Sequence, residues 1–269
     1  YLREFLRYAA TVQMPYNVIE TFDQPWKRAQ EGTAGGYWGI LDVHAKPKFA
    51  MQGPVVEESA WWLGWLAGIA GAGLFALTGC WWRHWRGRRG FVALALAGFA
   101  SGAALAWQFR QMGFACRNPW EWLISLIACA FALITAIQLA RWIAARLAGM
   151  QQQDMPAGWQ RLVWLFVLAF YGLLLVFDGR YRDLPLGLVE LPCIGYALVA
   201  ALSDRYQRTT PLLEEYFLAA MVPLLAAIVV VQEAGQSSVA WLWLGLNLAI
   251  AMPVLFGWHT RRIMQAQQP

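Results

Sequence analysis

The sequence predicts a mainly α-helical, polytopic membrane bundle of about seven transmembrane helices, joined to a short α/β segment at its N-terminal end. Three observations carry that expectation. Of 269 residues, 59 % are hydrophobic and only 14 % charged, and the mean hydropathy is +0.41, whereas soluble domains are about 45–50 % apolar and about 25 % charged. Thirteen charged side chains, including all three lysines, fall within residues 1–58, and every basic residue after Lys48 is an arginine. Two different media are implied, meeting near residue 58.

In the first segment, YLREFLRYAATVQ (1–13) places Leu2, Phe5, Leu6, Ala9 and Ala10 on one face and Arg3, Glu4 and Arg7 away from it. That is the pattern of an amphipathic helix, which Pro15 ends. YNVIETF (16–22) is β-branched, aromatic and short, and predicts one strand before the polar and aromatic cluster DQPWKRAQEG. Gly32, Gly35 and Gly36 lack the Lys-Ser/Thr of a phosphate loop and predict a tight turn. Helix followed by strand is half of a repeating α/β unit, and so short a segment cannot bury a core of that class. The rest of the domain is expected before Tyr1, which is not a methionine and is followed by no leader-like run.

A span needs about 20 mostly apolar residues. Seven stretches qualify, near 60–80, 91–109, 120–140, 161–177, 184–203, 213–232 and 239–258. The fifth is the weakest, because it holds Pro185, Glu190 and Pro192. Cytoplasmic loops collect arginine. Eleven (Arg83, Arg86, Arg88, Arg89, Arg141, Arg146, Arg161, Arg205, Arg208, Arg261, Arg262) fall on one side and four (Arg110, Arg117, Arg180, Arg182) on the other. The C-terminus is thus expected in the cytoplasm and residues 1–58 outside it, in the periplasm of a bacterial inner membrane. Fifteen of the seventeen tryptophans lie in the membrane part near span ends and predict two interfacial belts. Trp61, Trp62 and Trp65 also admit a reading as a sugar-stacking platform.

The run YNVIETFDQPWKRAQEGTAGGYWGILDVHAKPKF resembles the end of the catalytic (β/α)8 barrel of family-17 glycoside hydrolases, the β-1,3-glucanase and glucanosyltransferase family. It is most similar to the bacterial membrane-bound branch described as β-(1,3)/(1,6)-glucan synthases or glucosyltransferases. Phe22-Asp23 matches the end of the eighth strand, Trp26 and Lys27 the aromatic and lysine that follow, Glu31 the glutamate, and Tyr37-Trp38-Gly39 the closing segment. Gln24 departs from the glutamate that many secreted members carry three positions before the lysine. The match covers about 45 of the 269 residues. It implies that residues 1–58 are the last helix and strand of a truncated (β/α)8 barrel, and residues 59–269 a seven-span domain. It places no catalytic residue in this chain, because the family's acid and nucleophile would both precede Tyr1.

The implied chemistry is retaining glycosyl transfer, with two carboxyl groups about 5–5.5 Å apart and a glycosyl-enzyme passed to water or to a sugar hydroxyl. The product is a hydrolysed β-1,3-glucan or a transglycosylated one, 1,6 linkages included. Strand C-terminal ends line a barrel's active-site mouth, so the substrate-binding candidates are Glu20, Asp23, Trp26, Lys27, Glu31 and Tyr37. Each admits a plainer role: Trp26 as a cover for the barrel end, Lys27 with Glu31 as an i,i+4 surface pair, and Glu20 pointing either way from its strand.

Glu190 is the one acid placed deep in a span, where an ionisable group is a functional candidate. Pairing with Arg180 or Arg182 near an interface is the alternative. Glu214 and Glu215 open the sixth span near Arg205 and Arg208, and structural pairing is expected there. Asn247 and Gln138 are expected to bond neighbouring helices. The glycines at 68, 71, 73, 98 and 102 suit close packing of the first two spans. Four cysteines without CxxC spacing, and histidines at 44, 84 and 259, predict neither a disulfide framework nor a metal site, and no cofactor is implied. Arginines at span ends rather than in a stripe argue against nucleic acid. The expected partners are β-glucan, the lipid bilayer and a membrane glucan synthase. A conduit for glucan or a lipid-linked sugar, and a purely structural anchor, are the competing readings.

Overall fold

The computed structural model describes the chain except residues 1, 51, 55–59, 82–86, 151–157, 179–183, 204–210 and 266–269, and the side chains of 33, 34, 178 and 257–265. The described residues separate into two units, one before Ala60 and one from Ala60 onward.

In the first unit, α1 (Leu2–Thr11) forms as the periodicity predicts, with Ala9 buried and Glu4 and Arg7 exposed. Phe5 meets Tyr16 edge-on at 5.9 Å, and Arg3 Nη1 donates to the carbonyls of Ala50 (3.0 Å) and Gly53 (2.6 Å). The expected strand at 16–22 does not form. A strand needs a neighbour that continues its hydrogen-bond ladder, and here pairing is confined to an isolated parallel bridge, Phe22 to Leu41. Leu41 N–H donates to Thr21 O and Asp23 N–H to Leu41 O, each at 2.9 Å. Upstream of that bridge Ile19 is exposed. No named strand is present among the described residues, and the expected barrel strand is not among their elements.

The glycine cluster also departs from expectation. Instead of a tight turn, Arg28–Gly35 is a short helix, α2, broken at Gly32, whose φ of 69° lies in the left-handed region that glycine tolerates. Close approach explains Gly39: a Cβ there would sit 2.2 Å from Asp23 N and 2.3 Å from Phe22 C.

The second unit contains α3 (Trp62–Trp81), α4 (Arg88–Ala115), α5 (Pro119–Leu147), α6 (Gly158–Asp178), α7 (Leu186–Leu202), α8 (Leu213–Gln232) and α9 (Ser238–Gln265). All except α7 are long and apolar enough to cross a bilayer, and the chain is a multi-pass membrane protein. The spanning helices satisfy their backbone groups internally, as hydrocarbon requires. Where the sequence predicts a seventh full span, α7 has only 17 residues, or about 25 Å at 1.5 Å per residue, less than the roughly 30 Å of hydrocarbon. It packs among α4, α5 and α9. Pro192 within it cannot donate to the carbonyl one turn earlier.

The glycines pair α3 with α4 as expected. A Cβ on Gly71 would lie 2.2 Å from Gly98 O, and one on Gly102 2.0 Å from Ala67 O. The two backbones therefore touch with nothing between them. Gly73 has open space and no part in this contact.

The main core joins α5 to α9 around Leu139, Trp164, Leu168, Val189 and Trp243. It corrects the tryptophan belts in part. Trp61, Trp62, Trp65, Trp81, Trp107, Trp120, Trp159 and Trp241 are exposed as a belt requires, but Trp142, Trp164 and Trp243 are core residues. Trp164, 1 % exposed, donates its indole N–H to Thr135 Oγ1 at 3.1 Å and stacks on Phe131 at 5.3 Å. Trp82, Trp85 and Trp258 lie outside the described side chains. Asn247 bonds within its own helix rather than to a neighbour, donating to Trp243 O at 2.6 Å.

The two acids that open α8 part company. Glu215 is buried and accepts both arms of the Arg161 guanidinium, at 3.0 and 3.1 Å. The expected arginines, Arg205 and Arg208, lie outside the described residues. The same carboxylate accepts Leu212 N–H at 3.0 Å and so caps α8.

Candidate functional site

Pro25 opens a 3-10 turn, Pro25–Lys27, that leads directly into α2. A proline at that position has its φ preset and no N–H to waste. The turn projects Trp26, 63 % exposed, and directs Lys27 onto the Glu20 carboxylate. The Lys27 ammonium also stands 5.8 Å from the centre of the Trp26 ring. The hydrogen bond that Lys27 donates to Glu20 holds the Lys27 pKa above the ordinary lysine value, with the charges of Glu20 and Glu31 adding to it against a desolvation cost. Lys27 thus pairs with Glu20 and not with Glu31, the plainer partner that helical spacing also allows. Oε2 of Glu20 and Oε2 of Glu31 are buried and make no hydrogen bond among the described residues.

Asp23 serves a different purpose. It is 9 % exposed, and Oδ1 accepts Gly39 N–H at 3.0 Å and Lys48 Nζ at 2.8 Å. Those bonds tie the Phe22–Leu41 crossing together and leave little of the carboxylate for a ligand. Lys48 also donates to Tyr37 O. The Tyr37 ring carries two cations, Arg28 at 5.5 Å and Lys48 at 5.9 Å from its centre. Of the six predicted residues, then, Glu20, Trp26 and Lys27 form one group, Asp23 and Tyr37 form a second around Lys48, and Glu31 reaches the first only through its charge.

Lys48 and Arg28 are neighbours of these candidates that sequence reasoning missed. The available signal was Asp42, whose Oδ1 accepts the N–H groups of His44 (2.8 Å) and Lys46 (2.9 Å), the arrangement of an Asx turn. That turn folds the chain back, so that Leu41 bridges Pro47 and Lys48 N–H reaches Ile40 O. The backbone N–H of Lys46 is the largest cause of the lowered Asp42 pKa, and that of His44 adds to it.

An exposed indole face flanked by a charged pair is chemically suited to stacking against one face of a pyranose while neighbouring groups bond its hydroxyls. No group of three His, Cys, Asp or Glu side chains that could hold a metal occurs among the described residues. In the second unit, Glu190 is half-buried in α7 and lines a cavity between α4, α5 and α7. Its proposed partners Arg180 and Arg182 lie outside the described residues. The chain matches no protein-family model, no curated protein and no solved structure.

Proposed function

We propose that the chain is the membrane-embedded, C-terminal part of a β-glucan-remodelling enzyme, similar to family-17 glycoside hydrolases. Residues 1–58 would complete the substrate cleft of a retaining hydrolase or transglycosylase, and the helical bundle would hold that cleft at the membrane. The acid and nucleophile belong to a portion before Tyr1, so these residues alone are inactive. In this reading α7 crosses as a short seventh span held by its neighbours, so that the first unit faces the periplasm of a bacterial inner membrane and the C-terminus faces the cytoplasm, as the arginine asymmetry favours. A membrane glucan synthase is the natural donor of nascent chain.

The observation that carries the reading is the exposure of Trp26 beside the Glu20–Lys27 pair. A buried indole would fit a packing role; an exposed one, held by a proline-initiated turn, fits a subsite. The reading of the spans as a glucan conduit draws no comparable support, since the cavity at Glu190 presents Ser101 and Glu190 against an otherwise apolar lining. A polysaccharide entering it would lose its water without replacement partners.

The test is binding of β-1,3-gluco-oligosaccharide to the full-length protein in detergent micelles. Trp26→Ala is expected to weaken binding by about 1–2 kcal/mol, or roughly five- to thirtyfold, and Trp81→Phe, at an exposed helix end, is expected to leave it unchanged. Unaltered affinity in Trp26→Ala would remove the subsite.

A further inference from the structure

The hairpin of α4 and α5 turns sulfur donors from both helices toward each other. On α4, Met112 and Cys116 lie one turn apart, and the Cys116 N–H donates to Met112 O at 2.9 Å. On α5, Ser125 and Cys129 lie one turn apart as well. Side chains at i,i+4 share a helix face, with Cβ atoms about 5–6 Å apart, so each helix offers a pair. The pairs meet: Cys129 Sγ is 3.8 Å from Met112 Sδ, and Cys116 Sγ is 3.5 Å from Ser125 Oγ. Met112 and Cys116 are buried, and Ser125 and Cys129 are half-buried. Cysteine spacing hides such a patch, because the two thiols are thirteen positions apart and come from opposite sides of a turn.

Two thiols, a thioether and a hydroxyl make a selective donor set. Hard cations such as Mg²⁺ and Ca²⁺ require oxygen ligands. Structural Zn²⁺ closes its site with four ligands drawn from Cys, His and carboxylate, of which this patch holds two. Thiolate and thioether sulfur together select Cu(I). The spacing fits: a metal–sulfur bond is about 2.3 Å long, and two sulfurs 3.8 Å apart that share an ion at that distance subtend about 111° at it, an ordinary angle for three ligands. Cys116 is the residue that opens the turn, where Arg117 and Asn118 are exposed, which gives an ion an aqueous approach.

We propose that Cys116, Cys129 and Met112 bind one Cu(I) ion between α4 and α5. Both thiol protons pass to solvent as the two copper–thiolate bonds form, and Ser125 donates its hydroxyl to the Cys116 sulfur as the outer partner that orients it. The site stands independently of the glucan reading and would survive its failure.

The test titrates the full-length protein with Cu(I) against the chelator bicinchoninate, in detergent micelles without oxygen and with ascorbate present. Removing even an outer partner of a bound metal costs about 10–100-fold in affinity. Cys116→Ser, Cys129→Ser and Met112→Leu each remove a ligand, and each should weaken one bound ion by about a hundredfold. Cys80→Ser, at an exposed thiol of α3, should leave that ion unchanged. X-ray absorption at the copper edge should show sulfur neighbours at about 2.3 Å, and Zn²⁺ should bind more weakly than Cu(I). Each variant is checked for an unchanged melting profile, and any one that folds decides. Cu(I) affinity indifferent to a folded ligand variant, or a first shell of nitrogen and oxygen, would overturn the site. Equal binding of Zn²⁺ would overturn the choice of ion.

Discussion

The Arg161–Glu215 pair offers the sharpest energetic test of the bundle. The guanidinium presents two parallel N–H donors to the two carboxylate oxygens at 3.0 and 3.1 Å, a fork geometry that no lysine reproduces. Side-chain exposure is 12 % for Arg161 and 3 % for Glu215, so the charges have given up most of their hydration and depend on each other. Arg161→Met keeps the stem and removes the charge, which strands the carboxylate. Its expected cost is about 3–5 kcal/mol. Arg161→Met combined with Glu215→Leu removes both charges, and its expected cost is smaller than that of Arg161→Met alone, because replacing a whole buried pair by apolar groups is often neutral. The loss of the Leu212 cap adds back about 1 kcal/mol in the double variant. Titration of these and of Glu215→Leu alone with sodium dodecyl sulfate in mixed micelles, followed by circular dichroism, gives the four corners of the cycle and hence the coupling energy. The reasoning fails if Arg161→Met costs under about 1 kcal/mol, the range of exposed pairs, or if the double variant is no more stable than Arg161→Met.

Two further outcomes follow from local geometry. Gly102→Ala puts a Cβ 2.0 Å from Ala67 O, which must force α3 and α4 apart at a cost of about 1–3 kcal/mol; Gly73→Ala, with nothing within 4 Å, should be neutral in the same titration, and equal effects would refute the close-contact account. The lowered pKa of Asp42 means that its contribution to the 42–46 turn is full above the ordinary aspartate value and is lost as pH falls through the depressed one. Amide hydrogen exchange of Lys46, corrected for its intrinsic pH dependence, should lose protection only in that acidic window, and Asp42→Asn should shift or remove the dependence.

The spans were legible because a long apolar run has one physical explanation, and α1 because its polar residues fall off a single face. What the sequence could not convey was partnership. A stretch such as YNVIETF is strand-like in composition, but its ladder ends after Phe22 meets Leu41, and pairing is a property of the neighbour as much as of the segment. Trp164 and Trp243 look like belt residues in the sequence because lipid and protein interior are equally apolar to a sequence pattern. Only the packing of α5 to α9 tells them apart. Glu215 finds Arg161 across 54 positions, beyond any local spacing rule, and Lys27 chooses Glu20 over the helically spaced Glu31 because the proline-initiated turn precedes the helix. The exposed Trp26 was legible as a candidate; its separation from Asp23, which is held by Gly39 and Lys48, was not.

The shortness of α7 bears on how the protein is made. A segment of 17 residues that holds a carboxyl group in its second turn and an internal proline falls short of the roughly 20 apolar residues that a span needs by itself. Its neighbours α4 and α5 are synthesised before it, and α9 after it. In chain order, therefore, α7 has two of its packing partners before it, and its contact with α9 is the last of the three to become possible.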